Sequence, residues 1–248
     1  MRNEEAIIYG RNATIEALRA DREVERIFLL KGSEDGPIRT ILREAKKRHL
    51  QTDFVTRDRL SQLCGNNDHQ GVVAFVAAFS YAEVEDILKR AEEKGEPPFI
   101  ILLDEIEDPH NLGAIIRTAN ASGAHGVIIA KHHAAGLSPA AVKASAGAVN
   151  FTPVAQVTNI SKTIEQLKEA GMWFVCADMD GEPLYRLDLS GPMGLVIGNE
   201  GKGISPLVKK HCDFIASIPM LGEIESLNAS VACGVLAYEI VRARTKQA

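Results

Sequence analysis

The sequence predicts an α/β protein whose larger part is a mostly parallel sheet with helices on both faces, preceded by a smaller α/β domain. Two observations lead to this fold class. From residue 99 onward, near-continuous apolar strands alternate with helical segments, which is typical of parallel sheets that are buried on both faces. Before residue 80, shorter strands and helices alternate in the same way, and a proline-containing stretch separates the two parts.

The front domain, residues 1–79, is predicted to be a small α/β sandwich. Its helix near residue 40 has apolar residues at the i, i+3, i+4 and i+7 positions of an amphipathic helix. The predicted elements are a short helix capped by Asn12, a strand at 26–30, a helix at 38–50, a strand at 52–56, a helix at 58–64 and a strand at 71–79. The segment 80–98 is predicted to be a linker containing an acidic helix, which Gly95 and Pro97–Pro98 end.

The second domain, residues 99–248, is predicted to contain six strands and the helices between them. The predicted strands are 99–103, 126–130, 151–155, 172–177, 193–197 and 214–218, and the helices are 112–122, 161–170, 204–211 and 229–244. A further helix is predicted to begin at Ser138–Pro139, because serine is a good helix cap and proline is favoured at the first helical position.

Three polar loops that contain glycine lie at ends of these predicted strands. One is Gly198–Gly203, another ends with Ser226 and Asn228, and the third contains Asn111 and is followed in its helix by Arg117. Ligands of open α/β sheets bind beyond the carboxyl ends of the strands, so the three loops together predict a ligand site. Each loop alone is also consistent with an ordinary turn.

Several of these residues have a purely structural interpretation as well. Asn111, like Ser226 and Asn228, can cap a helix, and Gly113 permits a close backbone approach. Arg117 lies among apolar and small residues, so its side chain either extends to water or is directed at a phosphate or a developing charge.

Two features of the front domain also remain open between structure and RNA binding. The basic run at the end of the helix 38–50 either complements the helix dipole or contacts phosphates. The polar loop with His69 and Gln70 is either a turn or a contact to a base or a sugar.

Composition and motifs exclude several classes of function. The formal net charge of −5 gives no sign of a nucleic-acid partner, so any RNA surface has to be assembled from local clusters. No apolar run is long enough to span a membrane and no signal peptide is seen. The four cysteines are scattered without zinc-site spacing, which favours free thiols in a cytoplasmic protein and no metal site. Phosphate-binding, dinucleotide-binding and serine-hydrolase motifs do not occur.

Three blocks of the second domain resemble the SpoU (TrmH-type) family of the SPOUT RNA methyltransferases. The blocks are Asn111–Ala119, Val196–Gly203, and Ile218–Met220 followed by Ser226–Ala232. The front domain resembles the L30e-like substrate-binding domain found before such enzymes, at Gly10–Ala13 and at His69–Val72. With that front domain, the chain is most similar to the RlmB-type subgroup, which methylates the ribose 2′-hydroxyl of a guanosine in 23S ribosomal RNA.

The resemblance implies a cofactor, a chain topology and an assembly. The expected methyl donor is S-adenosylmethionine, bound at a deep trefoil knot by Gly198, Asn199, Ile218, Met220 and Leu227. The expected assembly is a homodimer with the last helix at its interface. The apolar face of that helix is compatible with the interface, although core burial explains it equally well; it comprises Val231, Val235, Leu236, Tyr238 and Ile240.

The resemblance also implies roles for individual residues. Arg117 is the expected key catalytic residue, and we expect Glu200 to hold its guanidinium, with Asn111, Ser226 and Asn228 orienting the reactants. The expected RNA-binding residues are Arg11, Asn12, Lys46, Lys47, His69 and Gln70. Further candidates for an RNA surface are Arg43, Arg48, Lys131, His132, His133, Lys209 and Lys210. Two alternatives stay open: a tRNA ribose methyltransferase, and an RNA-binding protein that has kept this fold without catalysis.

Overall fold

A computed structural model describes residues 6–19, 24–33, 35–76 and 80–245 of the chain. The chain divides into two compact units, Met1–Ser80 and Tyr81–Ala248.

The described part of the first unit has four strands and three helices. In chain order they are β1 (Ala6–Tyr9), α1 (Arg11–Arg19), β2 (Val24–Leu30), α2 (Gly36–Lys47), β3 (Gln51–Val55), α3 (Arg57–Cys64) and β4 (Val72–Val76). The sheet order is β1-β4-β2-β3, in which β4 is antiparallel to both neighbours and β2 is parallel to β3. Apolar side chains of α1, α2, β2 and β4 form the core on one face of this mixed sheet.

The first helix begins earlier than the sequence indicates. Residues 11–19 are helical, so Asn12 lies inside the first turn and does not cap the helix. The caps of α2 and α3 are Asp35 and Thr56, whose side chains accept the backbone N–H of Ile38 at 3.3 Å and of Arg59 at 3.4 Å.

The second unit is built on a six-stranded sheet. Its elements are α4 (Val84–Lys94), β5 (Phe99–Asp104), α5 (Pro109–Ala121), β6 (Gly126–Ala130), α6 (Pro139–Ala144), β7 (Val154–Val157), α7 (Ile160–Glu169), β8 (Trp173–Pro183), β9 (Met193–Gly198), α8 (Pro206–His211), β10 (Phe214–Ser217) and α9 (Ala229–Thr245). The strand order is β10-β8-β9-β5-β6-β7 and each neighbouring pair is parallel, which confirms the predicted parallel sheet.

Helices cover both faces of this sheet. Buried residues of α4, α7 and α8 pack in one cluster with alternate residues of β5, β8 and β9. Helix α5 contacts α6 and α9, and α9 contacts β9, which places these three helices over the other face. The segment 80–98, which the sequence predicts as a linker, contributes Ile87 of α4 to the first cluster, where this side chain is fully buried.

Three element boundaries in this unit differ from the sequence-based expectation. Helix α5 begins at Pro109 with Asp108 as its cap, so Asn111 is a residue of the first turn. Strand β7 begins only at Val154, because a 3₁₀ turn at Ala148–Asn150 occupies the preceding residues. Strand β8 continues to Pro183, past a register shift between Ile215 and Ala216 of its partner strand.

Candidate active site and cofactor cavity

The loops after β5, β9 and β10 meet at one edge of the parallel sheet. Asp104 at the end of β5 is paired with Gly198 at the end of β9, so the two loops start side by side. The carboxylate of Asp104 accepts the backbone N–H of Ser205 at 2.7 Å and ties the end of the β9 loop back to β5. This edge is where an open parallel sheet is expected to hold its ligand.

A cavity of about 380 Å³ opens at this edge. Its volume is within the range of small-molecule sites in proteins. All five predicted cofactor-binding residues line it, namely Gly198, Asn199, Ile218, Met220 and Leu227. Glu200 and Ser226, two of the predicted catalytic residues, line it as well. The residues that the resemblance implies for the cofactor thus lie around one cavity, and their role in binding it stays a prediction.

The glycine-containing loop after β9 closes on itself. Backbone hydrogen bonds join Asn199 and Gly203 in both directions, at 3.0 and 2.8 Å. A Cβ on Gly198 would lie 2.5 Å from the carbonyl carbon and oxygen of Gly203, and Gly203 has a positive φ of 69°. Both glycines are thus required by the loop itself.

The side chain of Asn199 is fully used inside that loop. Its Oδ1 accepts the backbone N–H groups of Gly201 and Lys202 at 2.9 and 3.2 Å, and its Nδ2 donates to the carbonyl of Glu105 at 2.9 Å. Asn199 therefore shapes the cavity wall and joins it to the β5 loop.

Glu200 is the acceptor at the centre of a polar network. Its Oε1 accepts from Nδ2 of Asn111 at 2.7 Å, from Nδ2 of Asn228 at 2.5 Å and from the backbone N–H of Ala229 at 3.4 Å. Asn228 also donates to Oδ1 of Asn111 at 3.0 Å. The network joins α5, the β9 loop and the start of α9, and it places a carboxylate at a helix N-terminus, where the helix dipole favours negative charge.

Asn228 also caps α9. Its Oδ1 accepts the backbone N–H groups of Ser230 and Val231 at 3.0 and 3.3 Å. Of the two cap candidates in this loop, Asn228 therefore does the capping. Ser226 is exposed at the rim of the cavity instead.

Arg117 is exposed on α5 and makes no hydrogen bond or ion pair with any residue that the structure describes. The predicted pair between Glu200 and Arg117 is not formed; Oε1 of Glu200 accepts instead from the two asparagines and from the N-terminus of α9. The guanidinium is left free for a ligand outside the chain.

Gly113 serves helix packing rather than a ligand. A Cβ at this position would lie 2.3 Å from the carbonyl oxygen of Ala141 and 2.5 Å from the Cβ of Ala144. Glycine therefore lets α5 and α6 approach closely, which sets the position of the helix that carries Asn111 and Arg117.

Sequence reasoning missed the acidic residues that line the cavity from β8 and from the loop before α9. They are Asp178, Asp180 and Glu225. Asp178 forms an ion pair with Lys209 at 2.7 Å. Burial tends to raise the pKa of the Asp178 carboxyl, but hydrogen bonds from Lys209 and from the Asp180 N–H lower it overall. The missed signal was the length of β8, whose continuation past Ala177 carries Asp178 and Asp180 to the edge.

The RNA-binding candidates of the first unit fall into two groups. Arg11 is at the start of α1, where its Nε donates to the carbonyl of Gln70 at 3.0 Å and its backbone N–H donates to Oε1 of Gln70 at 3.3 Å. Arg11 also pairs with Asp35 at 2.7 Å, and Asn12 is exposed beside it. These residues lie at the end of the sheet where β2 finishes, because Leu30 and Gly10 bond to the backbone of Gly71 and Val72.

Lys46 and Lys47 lie at the opposite end of that sheet. Helix α2 starts after the end of β2 and finishes before the start of the parallel strand β3, so its last turn lies where both strands begin. Lys47 is 3.4 Å from Glu44, and the guanidinium of Arg48 donates to the carbonyl of Leu18. The structure does not bring the two groups together.

His69 is buried and is not presented to a ligand. It is 1% exposed, its Nδ1 accepts the backbone N–H of Gly71 at 3.0 Å, and its Nε2 lies 3.3 Å from the hydroxyl of Ser61. Burial lowers the pKa of this imidazole, and the positive charge of Arg57 lowers it further against the opposing effect of Asp68. His69 therefore holds the loop together, and only Gln70 of this pair is exposed.

The described ranges contain neither a metal-binding cluster nor a membrane-spanning helix. No group of three or more His, Cys, Asp or Glu side chains is arranged to hold a metal ion there. None of the helices described is both long and apolar enough to cross a bilayer.

Comparisons with known proteins agree with this geometry. Residues 98–238 match the SpoU rRNA Methylase family, and residues 7–82 match the family described as RNA 2′-O ribose methyltransferase substrate binding. YacO of Bacillus subtilis (strain 168), whose name assigns it to TrmH-family tRNA/rRNA methyltransferases, is 46% identical over 98% of this chain and 98% of its own length.

Two solved structures extend the similarity to three dimensions. The SpoU methyltransferase AviRb from Streptomyces viridochromogenes, in complex with AdoMet, has a TM-score of 0.62 and 29% identity, covering 97% of this chain and 90% of its own. An AdoMet-bound rRNA methyltransferase from Sinorhizobium meliloti has a TM-score of 0.60 and 26% identity, covering 95% and 86%. With both units matched to family models and a relative 46% identical over nearly the whole chain, the chain belongs to the SpoU family of S-adenosylmethionine-dependent RNA methyltransferases.

Proposed function

We propose that this protein transfers the methyl group of S-adenosylmethionine to the ribose 2′-hydroxyl of a guanosine in 23S ribosomal RNA. The observation that carries the proposal is the arrangement at the sheet edge. One cavity is lined by the predicted cofactor residues, and the Asn111–Glu200–Asn228 network ties it to α5, the helix that carries the unpaired Arg117.

The cavity fits S-adenosylmethionine in its chemistry. Ile218, Leu227 and neighbouring apolar side chains provide walls for the flat adenine ring, while the Gly198–Gly203 loop exposes backbone groups that can bind the polar edges of the cofactor. Asp180 and Glu225 supply negative charge near a cofactor that carries a positive sulfur. When bound, this cofactor supplies an electrophilic methyl group.

We assign Arg117 the role of binding the target phosphate and stabilising negative charge on the ribose oxygen. Guanidinium groups keep their protons at neutral pH, so this electrostatic role is easier than that of a general base. The absence of a partner for Arg117 among the described residues supports the assignment, since no existing bond has to be broken before RNA is bound.

Asn111, Glu200 and Asn228 act as positioning residues in this proposal. Their hydrogen bonds fix the start of α5 and the start of α9 relative to the cavity. Holding two reactants in a near-attack geometry can lower a barrier by about 7–11 kcal/mol in favourable cases. Ser226 at the rim is available to the ribose of the substrate or the cofactor.

The choice of ribosomal RNA rests on the first unit. Its match to a substrate-binding family and the full-length similarity to an rRNA methyltransferase support it. Arg11, Asn12 and Gln70 at one end of its sheet, and Lys46 and Lys47 at the other, offer two separate contact points to an extended RNA. A tRNA substrate is the second candidate, because relatives such as YacO are named tRNA/rRNA methyltransferases.

The same proposal includes the topology and the assembly. Helix α9 returns from the edge strand β10 to α5 and β9 in the middle of the sheet, a path compatible with a trefoil knot. Leu236 and Ile240 of α9 are buried, whereas Val231, Val235 and Tyr238 are exposed, which supports a homodimer through this helix. We further propose that the first unit is L30e-like and that the protein is cytoplasmic, in keeping with its four free cysteines.

The test is transfer of labelled methyl groups to 23S rRNA and to total tRNA, followed by nucleoside analysis. Arg117→Ala is compared with Arg186→Ala, an exposed arginine of the same unit. Label in 2′-O-methylguanosine of 23S rRNA that is lost only in Arg117→Ala supports the proposal. Label in tRNA alone refutes the rRNA substrate, and cofactor binding without transfer to any RNA favours a non-catalytic protein.

A further inference from the structure

Phe151 is an exposed aromatic residue on a rigid piece of backbone. Its side chain is 67% exposed, directly after the 3₁₀ turn Ala148–Asn150. Its N–H donates to the carbonyl of Ala148 at 3.0 Å, and its own carbonyl accepts from Nη1 of Arg90 at 2.5 Å. The backbone that carries the ring is therefore held in place, while the ring itself is largely uncovered.

The ring is connected to the helix that carries Arg117. Thr152, which follows Phe151, is buried, and its hydroxyl accepts from Nδ2 of Asn120 at 3.1 Å. Asn120 is three residues after Arg117, so the two side chains share one face of α5 about 4.5 Å apart along its axis. The residue that follows Phe151 is thus hydrogen-bonded to the face of α5 that carries Arg117.

The charges around the ring suit a nucleic acid. Arg90 donates to the backbone carbonyl of Phe151, and Arg117 is unpaired on α5, about one helical turn before Asn120. Proteins that bind unpaired RNA combine cations for the phosphates with aromatic rings on which bases stack. The exposed ring of Phe151 and the guanidinium groups of Arg90 and Arg117 together supply both components.

We propose that Phe151 is a stacking platform for an unpaired base of the RNA, next to the nucleotide that is methylated. This inference rests on the proposed function. Asn111 at the cavity network precedes Asn120 by nine residues, about 14 Å along the helix, so the ring receives a flanking base and not the target base. The enzyme then requires its target in a single-stranded segment, because paired bases are not free to stack on protein.

The test compares Phe151→Ala, Phe151→Trp and the control Tyr185→Ala, which removes another exposed aromatic side chain, 62% exposed, in the same unit. Equilibrium binding is measured with a short single-stranded RNA and with a fully paired RNA of the same sequence. The KM for RNA, kcat, the Kd of S-adenosylmethionine and the oligomeric state are measured in parallel.

Phe151→Ala is expected to weaken binding of the single-stranded RNA and to raise the KM for RNA on the order of tenfold, with kcat and the cofactor Kd unchanged. Phe151→Trp is expected to restore both, and Tyr185→Ala to change neither. Unchanged RNA binding in Phe151→Ala overturns the inference. So does a change of oligomeric state in that variant, since the ring is then a contact between two copies. The binding measurement needs no methyl transfer, so it decides the role of Phe151 even if the proposed function fails.

Discussion

The two units differ in how they distribute their candidate functional residues. In the second unit, residues from loops far apart in the sequence converge on one cavity, because all six strands are parallel and their carboxyl ends share an edge. In the first unit the candidates lie at the start of α1 and at the end of α2, which are opposite ends of the sheet, because α2 runs back from the end of β2 to the start of the parallel strand β3. Loops at the carboxyl ends of parallel strands concentrate chemistry at one place, whereas candidates at both ends of a sheet spread contacts over a distance, which suits a long substrate.

The sharpest test of the convergent site is Arg117→Ala. We expect kcat to fall by about 10²–10³-fold, since the variant loses a preorganised charge at the reacting oxygen. Stability and the Kd of S-adenosylmethionine should stay unchanged, because the side chain is exposed and makes no bond to the described residues. Steady-state kinetics, calorimetry and thermal unfolding measure these quantities. A parallel loss of cofactor affinity would assign Arg117 to the cofactor instead.

The packing beneath that site is tested by Gly113→Ala. The added methyl group would overlap the backbone of Ala141, and overpacking of this kind costs about 1–3 kcal/mol of unfolding free energy. Gly234→Ala on α9 is the matched control, since its Cβ would meet no atom within 4 Å. Denaturant unfolding should show a loss for Gly113→Ala and no loss for Gly234→Ala. Equal effects would refute the role of the α5–α6 approach.

The polar network is tested by Asn228→Ala beside Asn159→Ala. Both residues cap a helix, Asn159 by accepting the N–H of Lys162 at 3.0 Å, but only Asn228 also donates to Glu200. Each variant should lose about 1 kcal/mol of stability through its cap. Asn228→Ala should in addition weaken cofactor binding, measured by calorimetry. If Asn228→Ala bound the cofactor with normal affinity, the only role of Asn228 would be to cap α9.

A pH dependence is expected in both units, because each contains a buried histidine. His125 is fully buried, and its Nδ1 accepts the N–H of Phe99 at 3.0 Å. Burial lowers the pKa of this imidazole. The positive charge of Lys94 lowers the pKa further, while the negative charge of Glu96 opposes the shift. A folded-state pKa below the unfolded value of about 6.5 means that stability is complete above that pH and falls as the pH drops below it.

Unfolding curves between pH 7 and pH 5 test this expectation. His125→Asn, whose side-chain oxygen can still accept a hydrogen bond, should show a flatter loss of stability with acid than the wild type. His69→Asn should do the same for the first unit, where burial also lowers the pKa. If the free energy of unfolding of both variants fell with decreasing pH as steeply as that of the wild type, the loss of stability in acid would come from carboxylates and not from these histidines.

The smallest expected effect concerns the dispersed contacts of the first unit. Lys46→Ala should weaken RNA binding slightly and reduce the slope of log K against log salt by about one, as for the loss of a single phosphate contact. Arg11→Ala should have a larger effect, because it also removes the bond to Gln70 and the pair with Asp35. Binding titrations at several salt concentrations measure both. Equal slopes in wild type and Lys46→Ala would remove α2 from the RNA surface.

The positions of the strands in the second unit could be predicted because each strand is marked by its own apolar run, so its pairing partners did not have to be known. Apolar runs bounded by glycine or polar residues mark β6 at 126–130 and β9 at 193–198 almost to the residue. The cavity-lining residues were predictable only by resemblance to a family, since nothing local tells Ile218 from another strand end.

The remaining differences have physical causes that lie outside a local pattern. Asp108 and Asn111 are both good caps, and only the three-dimensional position of Glu200 decides that Asn111 is used elsewhere. His69 was a candidate RNA contact because it lies in a polar loop, but hydrogen bonds with Gly71 in that loop and with Ser61 on α3 satisfy the buried ring. The sequence predicts that strand β8 ends at Ala177, because the residues that follow are polar. In the structure the strand continues, and its continuation pairs with β10 and not with β9.

The pairing of Glu200 with amides rather than with Arg117 has an electrostatic consequence for the encounter with RNA. The protein carries a formal net charge of −5, so at long range it repels a polyanion. If Glu200 had neutralised Arg117 in an ion pair, the active site would offer RNA no local attraction to oppose this repulsion. Because Glu200 is hydrogen-bonded to Asn111 and Asn228 and not paired with Arg117, Arg117 remains a local positive charge on a protein of negative net charge. Added salt screens the long-range repulsion as well as the short-range attraction, so association should slow less steeply with ionic strength than it does for basic RNA-binding proteins.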